Sequence, residues 1–257
     1  MVQLPRTTHR QAVLVRRPER TGAKEVRNGA VPDVVIRRLP LYLRTLRRLL
    51  RDGRRAVSSE ELAQCLGTTA AQIRRDFSYF GRFGKQGYGY DVEALIQELE
   101  TVLRLDRTWD VALVGYGNLG QAIAQYRGFE PNGFRIAAIF AKGPEHVGQI
   151  VNGLVVLPET EIERVVRELE IRIGILAVPA EAAQEVADKL VAGGVRAILN
   201  YAPVTLHVPP GVTVRDIDPI GALQSMTYYL GAPGDGTVFD RTVLTAAAAE
   251  ARHRATR

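Results

Sequence analysis

The stretch Gly115-Tyr116-Gly117-Asn118-Leu119-Gly120 restricts the possible fold of this chain more than any other. An apolar run, Val111 to Val114, leads into it, and a helical pattern from Leu119 to Tyr126 leads out. Strand, Gly-x-Gly-x-x-Gly turn and helix is the order that a dinucleotide-binding βαβ unit requires. The spacing gives each glycine a task. Gly115 permits a tight turn, Gly117 lets backbone approach a pyrophosphate, and Gly120 lets the helix pack closely on the strand. Unsatisfied N–H groups and the positive end of the helix dipole would then hold the diphosphate. A bare glycine turn with no ligand is the bland alternative, and the flanking elements argue against it.

Downstream, strand and helix patterns alternate. Phe134 to Phe140 reads as a second strand, Gly153 to Pro158 as a short third, and Glu159 to Glu170 as a helix. A fourth strand (Arg172 to Val178) and a helix (Ala180 to Ala192) follow, then strands at Arg196 to Asn200 and Val212 to Ile217. Such alternation predicts an α/β domain with a parallel sheet covered on both faces, closed by an apolar helix from Ile220 to Leu230. The 257 residues leave room for a second modest domain in front of it. No stretch approaches the roughly 20 apolar residues of a membrane span, and the Arg- and Pro-studded start has no signal-peptide core. The single cysteine, Cys65, excludes an intrachain disulfide and suits a reducing cytoplasm. Its place in a helical pattern reads as a small buried apolar residue.

Charge divides the chain. Residues 1–30 carry +5, residues 31–90 carry +7, and the remainder is acidic within a formal total of +6. A basic front half points to a polyanion partner. Residues 1–30 are basic and aperiodic, and are expected to be disordered. Residues 31–105 form a domain with its own pattern. Leu39, Leu43, Leu46 and Leu50 make one stripe of a helix from Val34 to Asp52, where Pro40 should mark a kink or the true start. Ser58 with Glu61 forms a capping box for a second helix, and Thr69 with Gln72 a second box for a third, over about Ala70 to Phe80. Helix, glycine turn and helix is the helix-turn-helix arrangement. Gln72, Arg74, Arg75 and Ser78 lie off the apolar stripe of the third helix and suit base edges and phosphates. Gly84 to Tyr90 reads as a hairpin wing with Lys85 and Gln86 at its tip. A helix from Asp91 to Leu105 leads into residues 106–230, and the tail 231–257 is expected to be loosely ordered.

Five stretches together resemble the Rex family of redox-sensing transcriptional repressors. They are Arg38 to Tyr42, Gln72-Ile73-Arg74-Arg75-Asp76-Phe77-Ser78-Tyr79-Phe80-Gly81, Gly84 to Tyr90, Val114 to Gly120, and Leu199-Asn200-Tyr201-Ala202-Pro203. The resemblance spans about Val34 to Leu230. It implies a winged helix followed by a Rossmann domain, and a homodimer that binds palindromic operator DNA and releases it on binding NADH. Thr69, Gln72, Arg74, Arg75, Ser78, Lys85 and Gln86 would face DNA. The loop Gly115, Tyr116, Gly117, Asn118, Leu119 and Gly120 would hold the pyrophosphate, with Tyr126, Tyr201 and Asp218 near the nicotinamide. Arg44 would pair with Asp218 in one state, coupling the domains.

One departure concerns the ligand. The family usually carries an acidic residue after the second strand, where it accepts hydrogen bonds from the adenosine ribose. Here that position is Ala141, followed by Lys142. Loss of the carboxylate with a lysine beside it leaves NADP(H) open next to NAD(H). A dehydrogenase is the rival class, since the fold also serves oxidoreductases. However, His9, His146, His207 and His253 offer no clear proton donor, and neither metal-ligand spacing nor a nucleophile set stands out. An adaptor whose basic half binds a protein is the third reading.

Overall fold

The computed structural model describes residues 31–81 and 89–230. The expected leader, the wing tip with Lys85 and Gln86, and the tail lie outside the described residues. The chain divides into two compact units at Asp106 and Arg107.

The first unit is built on α1 (Asp33–Arg51). Pro40 lies inside this helix, so it is not the start that the sequence allowed, and the hydrogen bond that its missing N–H would donate is lost. Leu39, Leu43 and Leu46 are buried as their spacing requires, Leu50 is half-buried, and Tyr42 completes the stripe. In α2 (Ser59–Leu66) the capping box is complete: the Glu61 N–H donates to Ser58 Oγ at 3.0 Å, and the Ser58 N–H to Glu61 Oε2 at 2.8 Å. In α3 (Ala70–Ser78) the box is only half made, and the helix stops short of Phe80. The Gln72 N–H donates to Thr69 Oγ1 at 3.2 Å, but the Gln72 side chain turns to Asp76 instead of back to Thr69.

A two-residue strand, β1 (Ala56–Val57), pairs antiparallel with β2 (Tyr90–Asp91), so Tyr90 belongs to the base of this small sheet. The Asp91 carboxylate accepts from the Ala94 N–H and caps α4 (Val92–Val102). Phe77 meets Tyr42 and Tyr90 edge-on, each at 5.4 Å between ring centroids, and this aromatic set ties α1, α3 and β2 into one core. Cys65 is exposed, contrary to the expectation of burial. The core-facing stripe of α2 passes through Ser59, Leu62 and Ala63, and at about 100° per residue Cys65 falls off its side.

The second unit is a seven-stranded sheet, with β3 (Trp109–Val114), β4 (Phe134–Ala141), β5 (Ile150–Val151), β6 (Leu154–Pro158), β7 (Ile173–Leu176), β8 (Ala197–Asn200) and β9 (Thr213–Asp216). Their order is β5-β6-β4-β3-β7-β8-β9. All neighbours are parallel except β5, which folds back on β6 through the turn at Asn152-Gly153. The near-continuous apolar runs follow from cover on both faces. Helices α6 (Ile162–Glu168) and α7 (Ala180–Gly193) bury Val114, Phe140 and Leu176 on one side. Helix α5 (Asn118–Gln125) covers Leu113, Ile139 and Ile175 on the other. The last helix, α8 (Pro219–Leu230), buries none of its residues. Ile220, Leu223, Met226, Tyr228, Tyr229 and Leu230 are all more than half exposed on it. No helix among the described residues is long and apolar enough to cross a membrane, and no His, Cys, Asp or Glu cluster among them could hold a metal ion.

Candidate nucleotide and nucleic-acid sites

In the second unit strand order reverses at β3, which has β4 on one side and β7 on the other. Ligands of open parallel sheets bind in the crevice outside the strand ends at such a point. The glycine loop lies there, and its glycines meet three different constraints. Gly115 has φ +96°, and a Cβ on it would collide with the Ala177 carbonyl oxygen just after β7. A Cβ on Gly120 would strike the Gly115 carbonyl oxygen, so only glycine lets α5 approach so closely. A Cβ on Gly117 would meet nothing within 4 Å. That space is open to a ligand. Gly117 is also the N-cap of α5 and gives no side-chain cap, so the first N–H groups of the helix point into the opening. Asn118 and Leu119 are exposed there, whereas the Tyr116 ring is buried under the loop, leaving only its backbone for a ligand.

Tyr201 and Asp218 follow β8 and β9 and so lie at the same end of the sheet. Tyr201 is half-buried, and its N–H donates to the Leu176 carbonyl at 2.9 Å. The turn beyond it is organised by Asn200, which the sequence reading did not single out. Fully buried, Asn200 donates from Nδ2 to the Ala202 and Val204 carbonyls and to Asp216 Oδ1, and accepts from the Ala202 N–H. Its signal was an amide closing an otherwise apolar strand. Asp218 caps α8, accepting from the Gly221 N–H at 2.8 Å.

Tyr126 is not brought to this end within one chain. The eight residues of α5 carry it about 12 Å away from the glycine loop. There it is 63% exposed, edge-on to Phe129, and lines an open cavity of about 760 Å³ with Arg135, Ile136, Asn152 and Leu154. Ala141 ends β4 and is 2% exposed, in the same core as Tyr116 and Val156. Lys142 is exposed and acts on α7: the Glu185 carboxyl is held below its usual range mainly by its hydrogen bond to Lys189, with Lys142 adding to the effect.

In the first unit α3 presents Arg74, Arg75 and Ser78 to solvent, with Thr69 exposed at its N-cap. Arg74 Nη1 donates to Ser59 Oγ at 2.7 Å and Glu60 Oε1 at 2.9 Å, which braces α3 against α2. Arg75 makes no ion pair among the described residues. The Ser78 hydroxyl donates to the Arg75 carbonyl at 2.7 Å. Gln72 is half-buried, with Nε2 donating to Asp76 Oδ1 at 2.7 Å. Arg44 is exposed on α1 of this unit, whereas Asp218 belongs to the other.

A helix-turn-helix with an arginine-bearing second helix, joined to a Rossmann domain, defines the class of a nucleotide-responsive DNA-binding protein. Family models agree with both halves: "Putative DNA-binding protein N-terminus" matches residues 30–78, and "CoA binding domain" matches residues 106–204. The redox-sensing transcriptional repressor Rex of Roseiflexus sp. (strain RS-1) is 57% identical over 199 residues, 77% of this chain and 90% of that protein. The Streptomyces coelicolor protein of the same name is 45% identical, over 79% of each chain. The crystal structure of RSP in complex with β-NAD+ and operator DNA superposes with a TM-score of 0.75 at 41% identity, covering 79% of this chain and 94% of that one. RSP in complex with β-NADH gives 0.72 at 39% identity, over 79% and 95%. The chain belongs to the Rex family, a family of transcriptional repressors and not of enzymes.

Proposed function

We propose that this protein is a cytoplasmic redox-sensing repressor that binds palindromic operator DNA as a homodimer and releases it when NADH occupies the Rossmann crevice. The observation that carries this reading is the open space at Gly117, at the uncapped start of α5 and at the switch point of the sheet. NAD(H) fits it: the pyrophosphate would lie on the N–H groups of residues 118–120, and the nicotinamide would extend toward Tyr201 and Asp218. The dinucleotide supplies its redox state, read here as a difference in shape and charge; the chain's own residues bind and report it.

A second copy accounts for two features. It would cover the apolar α8, which a chain by itself leaves in water at a hydrophobic cost. It would also supply Tyr126, which lies away from the glycine loop of its own chain, to the partner's nicotinamide. Thr69, Gln72, Arg74, Arg75, Ser78, Lys85 and Gln86 would face the operator. Arg44 and Asp218 would pair in the DNA-competent arrangement and part in the NADH-bound one. The test is fluorescence anisotropy on a labelled palindromic duplex selected with the protein itself. NADH is expected to release the duplex and NAD+ to leave it bound. Specific binding indifferent to both dinucleotides would refute sensing, and steady-state hydride turnover would favour the oxidoreductase.

A further inference from the structure

Among the described residues Asp76 is the only one with a charged side chain that is fully buried. Its surroundings are complete. Oδ2 accepts from Arg38 Nε and the Tyr42 hydroxyl, each at 2.6 Å, while Oδ1 accepts from Arg38 Nη2 at 2.8 Å and Gln72 Nε2 at 2.7 Å. Those four bonds fill the roughly four acceptor positions of a carboxylate. An ionised carboxylate can only accept, so the end of the Gln72 amide turned toward it must be the nitrogen. The carbonyl Oε1 is thereby left on the far side, together with the second Nε2 hydrogen. A glutamine on a surface helix ordinarily turns its amide either way, whereas this one is half-buried and fixed at one end.

We infer that Asp76 is a positioning residue that sets the polarity of Gln72, so that the first turn of α3 reads a base bearing an exocyclic amine, adenine foremost. The inference rests on the proposed function, in which α3 enters the major groove of the operator. Guanine offers only acceptors at its groove edge, and thymine an acceptor and a methyl, so both set like poles against Oε1. Adenine offers N6–H to Oε1 and N7 to the remaining Nε2 hydrogen, a two-point match. Cytosine offers N4–H alone and ranks second. Four bonds on Asp76 thus carry sequence information from the core to the groove, although Asp76 itself never reaches DNA.

The experiment uses the full chain and its selected operator. Each adenine of a half-site is replaced in turn by purine, which lacks the 6-amino group. One replacement should weaken wild-type binding roughly ten- to hundredfold and leave Gln72→Ala unaffected. Asp76→Asn can offer its own NH2 to Gln72 and lets that amide turn. It should lose discrimination at that same base pair while keeping its preferences elsewhere. Retention of the preference in Asp76→Asn would overturn the positioning role, as would a uniform loss of affinity at every sequence. Should Asp76→Asn fail to fold, the wild type decides. Guanine or thymine preferred at the pair where Gln72→Ala loses discrimination would overturn the inference, since Oε1 would then be reading no amine. The inference is overturned equally if no base depends on Gln72 although the operator is bound specifically. Absence of any specific DNA binding would bring down the proposed function itself.

Discussion

At the scale of single residues the balance between burial and hydrogen bonding decides what each charge does. Burial by itself would push the Asp76 carboxyl up, but the hydrogen bonds from Arg38, Tyr42 and Gln72 outweigh it and hold the group below its ordinary value. A carboxyl depressed in the folded state stabilises it fully above the unfolded value of about 3.9, and that contribution is lost as pH falls through the lower folded value. The urea midpoints of wild type and Asp76→Asn should therefore differ at neutral pH and begin to converge only as pH falls below about 4. A gap that is constant with pH would show that charge on Asp76 contributes nothing. On the ligand side, Ala141 is not where a carboxylate can simply be restored. It lies in a core with Tyr116 and Val156, so Ala141→Asp would bury a charge as well as offer a ribose acceptor. Lys142 is the cleaner probe of cofactor choice. It is exposed, so its attraction for a 2′-phosphate belongs near the 0–1 kcal/mol of surface pairs, not the 1.5–3 kcal/mol of buried charged hydrogen bonds. Lys142→Ala should weaken NADPH up to about fivefold and NADH hardly at all, as calorimetry would show. Equal losses for both would remove Lys142 from the ribose end.

At the scale of elements the glycine loop separates two kinds of constraint that look alike in a sequence. Gly120→Ala sets a methyl against the Gly115 carbonyl and must push α5 off β3, an overpacking of about 1–3 kcal/mol. Gly117→Ala meets no atom of the protein but fills the open space in which the pyrophosphate is proposed to lie. The first should lower Tm and dinucleotide affinity together; the second should keep Tm and lose affinity. A normal Tm in Gly120→Ala would contradict the packing described. Elements with a long period were legible beforehand: the strand before the loop, the helix after it, and the first three helices of the front unit. Two-residue strands were not, since Ala56–Val57 and Ile150–Val151 carry no period and exist only through partners. Pro40 does not mark the start of α1, because a proline removes one hydrogen bond, and nineteen residues with a strong apolar stripe tolerate that loss. Within the candidate site, the geometry at Gly115 to Gly120 was legible because backbone makes it. It was not legible where a side chain's partner decides its direction, as with Gln72 turning to Asp76 and Asn200 gathering the turn after β8.

At the scale of the whole molecule a repressor must turn an event in one unit into a change in the other, and thermodynamics limits how. A ligand moves a two-state equilibrium only by the ratio of its affinities for the two states, and about 5.5 kcal/mol of difference is needed to go from 99:1 to 1:99. Reciprocity then requires operator DNA to weaken NADH binding by the same factor that NADH weakens DNA binding. Asp218 is placed to separate coupling from binding. It caps α8 through the Gly221 N–H and lies two residues beyond the edge strand β9, so its loss leaves the glycine loop untouched. In Asp218→Ala the loss of the cap costs about 0.5–2 kcal/mol of helix stability, which Asp218→Asn should largely restore, because asparagine caps about as well. The proposed pairing with Arg44 would need the charge, and asparagine cannot supply it. Both variants should therefore lose most of the coupling factor, measured as NADH affinity with and without operator duplex, while NADH affinity without DNA falls by a smaller factor. Arg44→Gln should reproduce that loss from the other unit, and adding it to Asp218→Asn should cost nothing further, since the pair can be broken only once. If Asp218→Asn keeps the wild-type coupling and only Asp218→Ala loses it, the cap and not the ion pair carries the signal.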